Sequence, residues 1–284
     1  MPVSIRPQWL RAPAPAGDSY HKVKVLVDSL RLHTVCQSAA CPNVGECWNH
    51  RTATFMILGN VCTRRCGFCA VRKGAPLPVD YDEPRRVAEA AAALGLRYAV
   101  VTSVSRDDRA DGGAELFALT IRAIRQRLPG CRVEVLIPDF QGSHAALDAV
   151  MDAAPDVLNH NLETVARLYR EVRLGARYER SLDILTQARR AGPGLTTKSG
   201  LMLGLGETNA EVLQSMRDLR SQGVDILTVG QYLRPTEKQL PILRYVPPDE
   251  FAELGRAGHE MGFLHVESGP LVRSSYHAAA LKCR

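Results

Sequence analysis

At residues 62–69 the chain reads Cys62-Thr63-Arg64-Arg65-Cys66-Gly67-Phe68-Cys69, which places three cysteines at the spacing CxxxCxxC. A [4Fe–4S] cube has four irons, and cysteine thiolates are its usual ligands. Three thiolates in one short loop can hold three irons and leave the fourth open to another ligand. Zinc sites more often use CxxC pairs, or Cys and His sets that total four ligands. The spacing therefore favours an iron–sulfur loop over a zinc knuckle or a patch of reduced structural cysteines.

A second group of cysteines precedes this loop: Cys36, Cys41 and Cys47, at the spacing CxxxxCxxxxxC. The spacing fits neither a zinc finger nor a ferredoxin closely, and it predicts a second cluster whose fourth ligand comes from elsewhere. Disulfides are the weaker alternative, because the start of the chain, with Arg6 and Arg11 among prolines, lacks the apolar core of a secretory signal. Reduced, metal-binding thiols fit a cytosolic or organellar enzyme, and we expect the cytoplasm.

Apolar runs typical of buried strands alternate with helix-like stretches from residue 54 onward. The predicted strands are 54–59, 98–104, 132–138, 156–161, 197–203 and 225–232. The predicted helices between them are 83–95, 114–128, 143–153, 163–172 with 178–191, and 208–222. This alternation indicates a parallel sheet covered by helices. Six units are too few for a closed eightfold barrel, so we predict an α/β fold with an open, TIM-like (β/α)6 partial barrel; a doubly wound sheet is the alternative.

The chain divides into three predicted segments. Residues 1–51 form an N-terminal extension that carries the first cysteines and a helix near 18–32, and residues 52–246 form the partial barrel. Residues 247–284 form a last helix and a tail. In parallel α/β folds the chemistry lies at the carboxyl ends of the strands. The cysteine loop and several polar motifs directly follow predicted strands, so we expect them to share one edge of the sheet.

The charge balance is only mildly basic. Lys and Arg exceed Asp and Glu by 36 to 30, a net charge of +6, and aromatic residues make up 6% of the chain. Such an excess is typical of a solvated surface, and an acidic partner is the next interpretation. The chain has no aromatic RNA-binding run, and charged residues or prolines interrupt each apolar stretch before it reaches membrane-spanning length. We expect neither nucleic acid nor a membrane as a partner.

Further motifs accompany the cysteines. They are QSAACPNVGECW (37–48), RDDRADGGAELF (106–117), VLNHNLETV (157–165), KSGLMLGLGET (198–208) and RSSYHA (273–278). Together they resemble the lipoyl synthase family of the radical S-adenosylmethionine (SAM) superfamily, from Arg6 almost to the C-terminus. The CxxxCxxC loop alone would indicate only the superfamily, whereas the first cysteine triplet and the RSSY motif narrow the resemblance to this family.

The resemblance implies a radical-generating site at the cysteine loop. SAM would chelate the open iron of a [4Fe–4S] cluster held by Cys62, Cys66 and Cys69, the catalytic cysteines. A one-electron donor such as ferredoxin or flavodoxin would reduce that cluster. The resulting radical would remove hydrogen from unactivated C–H bonds, a step that the cofactor rather than side-chain acid–base chemistry supplies.

The resemblance also implies a second, sacrificial [4Fe–4S] cluster as the sulfur donor. Its ligands would be Cys36, Cys41, Cys47 and, unusually, Ser275 of the RSSY motif. Sulfur would enter at C6 and C8 of an octanoyl chain on a lysine of a lipoyl carrier domain. That domain would be the E2 of a 2-oxoacid dehydrogenase or the glycine cleavage H protein, and we expect the enzyme itself to be a monomer.

Two glycine motifs are candidates for SAM binding. Gly112 and Gly113 would expose backbone carbonyls to the SAM amino group, and a flexible turn before a helix is the alternative. Gly204 and Glu207 belong to a segment that resembles the superfamily's GxIxGxxE strand, which would bring backbone beside the adenine. A strand-to-helix turn capped by the next residues would use the same glycines, and the two interpretations are compatible.

A polar strand end supplies the remaining candidates. Asn161 and Glu163 lie where a carboxylate could bond both ribose hydroxyls, and Arg173 could pair with the methionine carboxylate, since a guanidinium fork suits that group. The alternative for Arg173 is a surface arginine. We interpret His160 as structural, and Cys131 as a core residue.

Three rival functions are weaker. A tRNA methylthiotransferase of the radical SAM superfamily should carry more cysteines upstream and a small basic β-domain at its end. A biotin synthase should lack the first triplet. An electron-transfer iron–sulfur protein would not need a six-unit barrel with glycine motifs at its strand ends.

Overall fold

The computed structural model describes residues 6–12, 15–39, 41–49, 54–192, 194–276 and 278. Its strands are β1 His33–Thr34, β2 Thr54–Ile57, β3 Val61–Cys62, β4 Arg72–Lys73, β5 Tyr98–Ser103, β6 Arg132–Leu136, β7 Val157–Asn159, β8 Thr196–Leu203, β9 Ile226–Gln231 and β10 His265–Gly269. Its helices are α1 Asp18–Ser29, α2 Val35–Ser38, α3 Val44–Asn49, α4 Glu83–Ala93, α5 Ala114–Arg127, α6 His144–Met151, α7 Tyr169–Val172, α8 Tyr178–Ala191, α9 Asn209–Ser221 and α10 Pro248–Glu260. None of these helices is long and apolar enough to cross a bilayer.

The main sheet has the strand order β1-β2-β5-β6-β7-β8-β9-β10. From β2 to β10 all neighbours are parallel, whereas β1 is antiparallel to β2. A doubly wound sheet would reverse its strand order at a switch point. Here the order never reverses, and right-handed crossovers then place the helices on one face. The predicted partial barrel is confirmed, and the doubly wound alternative is wrong.

The six predicted barrel strands all form, as β2 and β5 to β9, and the predicted helices lie between them. The last segment differs from its prediction as a helix and a tail, because β10 follows α10 and adds a seventh parallel strand beside β9. Its sequence, HVESG, contains one large apolar residue and therefore has no strand-like run. The predicted boundary between extension and barrel, at residues 51 and 52, lies outside the described residues.

The two faces of the sheet bury different side chains, because successive residues of a strand point to opposite sides. The outer face packs against the helices through residues such as Ala99, Val101, Val133 and Val135. The inner face holds a separate apolar cluster of Tyr98, Val100, Val157 and Ile226 with Ala278. The C-terminal part of the chain therefore reaches into the barrel.

Next to this cluster the barrel interior holds a buried ion pair. Lys198 Nζ lies 3.0 Å from Glu134 Oε1, and both side chains are fully buried. The Tyr98 hydroxyl donates to Glu134 Oε2 at 2.7 Å. Buried charges are tolerated only when they are paired and hydrogen-bonded, so this group forms a rigid polar floor for the residues above it.

Candidate metal centres

The cysteine loop is anchored to the carboxyl end of β5. Thr63 N–H and Oγ1–H both donate to the Ser105 carbonyl, at 3.1 and 2.9 Å. The buried Arg64 guanidinium forks onto Asp107 at 2.7 and 2.9 Å and reaches Asp139 at 2.5 Å. Bidentate arginine–carboxylate pairs add geometric specificity as well as energy, so these contacts fix the path of the loop between its first two cysteines.

The far side of the loop is held by close packing at Gly67. Its N–H donates to the Val172 carbonyl and its carbonyl accepts from Leu240 N–H, both at 2.9 Å. A Cβ at Gly67 would lie 2.8 Å from Leu240 Cδ1, so no larger residue fits without a shift. The loop is thus preorganised by the fold before any metal binds.

The three thiols of the loop interact electrostatically. Burial raises the pKa of Cys66, an effect that Arg173 opposes and Cys62 reinforces. Burial also raises the pKa of Cys69 to about 11, and Cys66 and Cys62 add to the rise. Thiolates that are buried and repel one another are stabilised by cationic iron, since a coordinated thiol is deprotonated outright. This donor set fits three corners of an iron–sulfur cube.

Gly112 and Gly113 form the tight turn that begins α5. Their φ angles are +58° and +91°, in the left-handed region, where residues with a Cβ are strained. A Cβ at Gly113 would also lie 2.2 Å from Leu58 Cδ1. The pair therefore meets a backbone requirement of the turn, and its contact with SAM stays a prediction.

Asn161, Glu163 and Arg173 come together beside Cys66. Arg173 is buried, so its interpretation as a surface arginine is wrong, and its Nη1 donates to the Asn161 carbonyl at 2.6 Å and the Tyr169 hydroxyl at 2.8 Å. Asn161 Nδ2 donates to Glu163 Oε1 at 3.2 Å. Burial raises the pKa of Glu163, and Arg173 opposes that rise.

The backbone at Glu163 is strained. Its φ is +68°, and its N–H and carbonyl both bond to β8, with Gly200 and Met202, at 2.8 Å. A non-glycine residue held in the left-handed region by its surroundings is a feature that clusters at functional sites. The strain supports a binding role for this carboxylate without identifying the ligand.

Glu207 closes the turn after β8. Its carboxylate oxygens accept from the N–H groups of Gly204 at 2.5 Å and Leu205 at 3.0 Å, and Thr208 then caps α9 with Glu211 in a capping box. A Cβ at Gly204 would lie 2.2 Å from Gln231 Nε2. The predicted strand-to-helix turn is therefore confirmed here, and the approach of its backbone to adenine stays a prediction.

His160 is structural, as predicted. It is buried, and its ring nitrogens lie 2.8 Å from the Ile137 carbonyl and 3.0 Å from Ser181 Oγ. Burial, and then the charge of Arg173, lower its pKa to about 3. Cys131 is buried in the outer core.

The first cysteine triplet forms a second, separate group on α2, on α3 and on the turn between these helices. Burial raises the pKa of Cys36 and of Cys41. Burial also raises the pKa of Cys47 to about 12, and Cys36 and Cys41 add to that rise. None of the six cysteines of the two triplets forms a disulfide among the described residues. In each triplet, therefore, the thiols lie close enough to raise one another's pKa values.

The C-terminal segment, residues 271–276, packs against this first triplet. Asn43 Nδ2 donates to the Leu271 carbonyl at 2.7 Å, and the Tyr276 hydroxyl lies 3.1 Å from both carboxylate oxygens of Glu46. Asn43 and Glu46 are the polar residues of the segment between Cys41 and Cys47. These contacts join residues more than 220 positions apart in the chain, and they bring the RSSY motif to the segment that holds the first triplet.

The two adjacent serines of RSSY have different surroundings. Ser275 Oγ accepts from Thr54 Oγ1 at 2.8 Å, and the backbone of Thr54 lies close enough to the Cys36 thiol to lower its pKa. Ser274 Oγ instead donates to Asn161 Oδ1 at 3.0 Å and accepts from Asn159 Nδ2 at 2.8 Å. Of the two hydroxyls, that of Ser275 is the one that the described contacts link to the first triplet, through Thr54.

The residues of the first triplet also fit a cluster by their hydrogen-bonding capacity. The indole of Trp48 is fully buried and lies against Cys36, whose pKa it lowers, and among the described residues its Nε1–H has no acceptor at ordinary hydrogen-bond geometry. A poorly paired buried donor is costly, and cluster sulfur next to Cys36 would accept from it. No three His, Cys, Asp or Glu side chains in the described ranges converge on the position of a single metal ion, whereas a cube presents its irons at separate corners.

Sequence reasoning missed several residues of these sites. Arg64 lies inside the cysteine loop and Asn43 and Glu46 lie between cysteines, so their positions in the motifs were a usable signal. Thr54 begins an apolar strand, and nothing in its sequence context signalled a role in the site. Its role follows only from the packing of β2 against the C-terminal segment.

Comparisons with known proteins agree with this geometry. Residues 56–219 match the model of the Radical SAM superfamily, and residues 4–41 match the model of the N-terminal domain of lipoyl synthase. Lipoyl synthase from Koribacter versatilis is 63% identical, over 96% of this chain and 90% of the relative. Lipoyl synthase from Thermus thermophilus is 58% identical, over 96% of this chain and 85% of the relative.

Solved structures at low identity share the fold. Methylornithine synthase (PylB) aligns with a TM-score of 0.57 at 16% identity, over 74% of this chain and 62% of that one. Streptococcus suis SuiB bound to S-adenosylmethionine aligns with a TM-score of 0.56 at 13% identity, over 77% of this chain and 49% of that one. The chain therefore spans less than two thirds of either structure. Its full-length similarity to the curated relatives, by contrast, shows that the chain belongs to the lipoyl synthase family of radical SAM enzymes.

Proposed function

We propose that this chain inserts two sulfur atoms, at C6 and C8, into an octanoyl group carried on a protein lysine. The observation that carries the proposal is the packing of the RSSY segment, which contains Ser275, against the segment of the first cysteine triplet, while a second triplet lies in the loop after β2. An enzyme that only generates a radical needs one cluster. A second set of soft ligands, completed by a hard one from a distant segment, fits a cluster that is consumed.

Cys62, Cys66 and Cys69 would hold one [4Fe–4S] cluster, which we call the first cluster. The first triplet, Cys36, Cys41 and Cys47, would hold the second cluster together with Ser275. When bound, the first cluster and SAM supply a radical that removes hydrogen from unactivated carbons, and the second cluster supplies the sulfur. The part of the protein is to hold both groups, to orient the substrate between them and to exclude water.

Arg173 would bind the methionine carboxylate. Its Nη1 is fixed by the Asn161 carbonyl and the Tyr169 hydroxyl, so the guanidinium is aimed before SAM arrives. Glu163 and Asn161 would meet the ribose hydroxyls, since both side chains lie beside this arginine.

Backbone groups would make the other SAM contacts. The turn at Gly112 and Gly113 would receive the amino group, and the turn at Gly204 would lie beside adenine. Glu207 would act by shaping this last turn, because both of its oxygens are already engaged by backbone N–H groups.

Ser275 would be the weak ligand of the second cluster. A hard alkoxide holds iron less securely than a thiolate does, which suits a corner that must be released. Thr54 Oγ1 donates to Ser275 Oγ, and a hydrogen bond to the charged form of a group favours that form. Thr54 would therefore help the serine to ionise on binding iron.

The electron donor would dock at the basic residues around the cysteine loop, which we call the loop rim: Arg65, Arg72, Lys73 and Lys238. All four are exposed, and Lys73 Nζ donates to the Cys66 carbonyl at 3.2 Å. Next to Lys238, Gln239 Nε2 donates to the Cys69 carbonyl at 3.3 Å. The exposed acids Glu171, Glu237 and Asp107 also flank the loop, but the carboxylate of Asp107 is paired with Arg64. An acidic carrier such as a ferredoxin or flavodoxin fits this charge.

Reversing charges at Arg65→Glu, Arg72→Glu and Lys238→Glu should slow SAM cleavage driven by a protein donor, because complementary charges steer encounter and fix register. We expect the apparent KM for the donor to rise about tenfold at low salt. The measurement is 5′-deoxyadenosine release with reduced flavodoxin as donor, at several ionic strengths.

Dithionite needs no docking surface, so the dithionite-driven rate of the same variant should match that of the wild type. A matched control reverses three exposed arginines on the outer helices, Arg122, Arg127 and Arg256, and should leave both rates unchanged. Wild-type kinetics of the rim variant with flavodoxin would show that the donor docks elsewhere.

The carrier domain, the oligomeric state and the compartment complete the proposal. The substrate would be an octanoylated lipoyl domain, of a 2-oxoacid dehydrogenase E2 or a glycine cleavage H protein. The enzyme would act as a monomer, which is supported by the supply of all seven proposed iron ligands from one chain. The cytoplasm is the proposed compartment because six cysteines that serve as metal ligands must stay reduced, and the cytoplasm keeps thiols reduced.

The function is tested by anaerobic reconstitution with iron and sulfide. Adding SAM, dithionite and an octanoylated lipoyl-domain peptide should convert the octanoyl group to the dithiol form of the lipoyl group, which mass spectrometry detects as the gain of two sulfur atoms. SAM cleavage with an unchanged peptide mass would contradict the proposed function.

A further inference from the structure

Ser274, the neighbour of the proposed ligand, is held between two asparagines. Its hydroxyl accepts from Asn159 Nδ2 at 2.8 Å and donates to Asn161 Oδ1 at 3.0 Å. Asn159 ends β7 and Asn161 follows two residues later. We call the contact of Ser274 with these two side chains the serine clamp.

The clamp rests on the polar floor of the barrel. Asn159 is fully buried, and its Nδ2 also donates to Glu134 Oε1 at 2.9 Å. Glu134 is in turn fixed by Lys198 and by the Tyr98 hydroxyl. Asn159 Oδ1 has no partner among the described residues, but Nδ2 is held by the paired group of Glu134, Lys198 and Tyr98. Paired buried networks are rigid, so Asn159 offers Ser274 a donor in a fixed position.

Two glycines make room for this arrangement. A Cβ at Gly230 of β9 would lie 2.1 Å from the Val272 carbonyl oxygen, and a Cβ at Gly200 of β8 would lie 2.9 Å from Asn161 Oδ1. The contact at Gly230 is with backbone, so a flexible side chain cannot relieve it, whereas the contact at Gly200 is with the Asn161 side chain. The C-terminal segment therefore packs directly against the backbone of β9, at a position where only glycine fits.

The clamp determines which serine faces the thiols. Ser274 is tied to the inner side of the barrel, and the next residue then faces Thr54, whose backbone lies beside Cys36. A shift by one residue would bring Ser274 to Thr54, and Asn159 Nδ2 and Asn161 Oδ1 would lose their hydrogen bonds to its hydroxyl. An unsatisfied buried amide is costly, which disfavours the shifted register.

We propose that Ser274 is a positioning residue of the second cluster, which holds Ser275 in register as an iron ligand through Asn159 and Asn161. This inference rests on the proposed role of Ser275. It assigns to the first serine of RSSY a function that its neighbour cannot perform, because the two hydroxyls lie on opposite sides of the segment.

The test compares Ser274→Ala with Ser274→Thr, which keeps the hydroxyl, and with Ser268→Ala as a control. Ser268 lies on β10, and its hydroxyl bonds to the Phe251 carbonyl at 2.7 Å, away from the clamp. The first measurement is amide hydrogen exchange over residues 271–276 in the metal-free proteins. The second is the rate at which a chelator removes iron from the reconstituted proteins in the absence of SAM and substrate.

Ser274→Ala should exchange faster across residues 271–276 and lose the iron of one cluster roughly tenfold faster, the change expected when two ordinary hydrogen bonds are removed. Ser274→Thr should restore slow exchange and slow iron loss, and Ser268→Ala should match the wild type. Wild-type exchange and iron loss in Ser274→Ala would overturn the proposal.

A further variant, Ser275→Ala, separates this proposal from the one on which it rests. If Ser275→Ala keeps its iron as the wild type does, Ser275 is not an iron ligand, and both proposals are wrong because the clamp then has no ligand to position. If Ser275→Ala loses iron quickly and Ser274→Ala does not, the ligand role stands and the clamp alone is wrong.

Discussion

Replacing Cys62, Cys66 and Cys69 together with alanine should halve the iron of the reconstituted protein, from about eight to about four per chain, and abolish SAM cleavage. The three thiols share one loop and interact with each other electrostatically. Arg64 and Gly67 hold that loop in place without metal. Iron analysis and 5′-deoxyadenosine release by chromatography measure the two effects.

The matched control for this variant is Cys131→Ala, which removes a thiol from the outer core. It should keep both the iron content and SAM cleavage, at a modest cost in stability. Stoichiometric zinc in the wild-type protein, or only four irons at saturation, would refute the interpretation as two clusters. Retained SAM cleavage in the triple variant would place the radical-generating site elsewhere.

Replacing Cys41 with alanine should separate the two halves of the reaction. We expect continued release of 5′-deoxyadenosine and no sulfur-containing product, because Cys41 belongs to the triplet on α2 and α3 and not to the cysteine loop. Burial raises the pKa of Cys41, and the charge of Arg273 opposes part of that rise. Cys41 therefore lies near Arg273 of the C-terminal segment. The paired measurement is nucleoside release and peptide mass from the same reaction.

Cys41→Ala is informative only if the cluster at Cys62, Cys66 and Cys69 is intact in this variant. Its iron content should fall by about half, as in the triple variant, while the remaining iron supports SAM cleavage. Normal insertion of two sulfur atoms by this variant would show that the first triplet is not the sulfur donor. Loss of nucleoside release as well would show that the two sites depend on each other for assembly.

Most of the fold could be predicted from the order of apolar runs. The six central strands have such runs because both of their faces are buried, one against helices and one inside the barrel. The strand β10 could not be predicted in this way, since HVESG has a single large apolar residue and forms a strand because β9 offers it an edge. Hydrogen bonding to a neighbour, rather than composition, decides such a strand.

The site was predictable where chemistry is encoded locally. Cysteines four and three residues apart in one loop can reach one cluster whatever the rest of the fold does, and the spacing therefore identifies them. The burial of Arg173 was not predictable, because Val-Arg-Leu-Gly-Ala-Arg-Tyr reads equally well as a surface segment. Its burial depends on Tyr169 and Ser181 from neighbouring helices.

The sequence by itself determined the ligand chemistry of this protein: two triplets of thiols, the glycine turns at the strand ends and the α/β alternation that places them at one edge. The family resemblance pointed to Ser275, but only the tertiary structure decided which residues each serine of RSSY contacts. Ser275 meets Thr54 across 221 residues, and Ser274 meets Asn159 across 115. Contacts so distant depend on how the chain packs, because no local spacing constrains which of two adjacent hydroxyls faces the thiols.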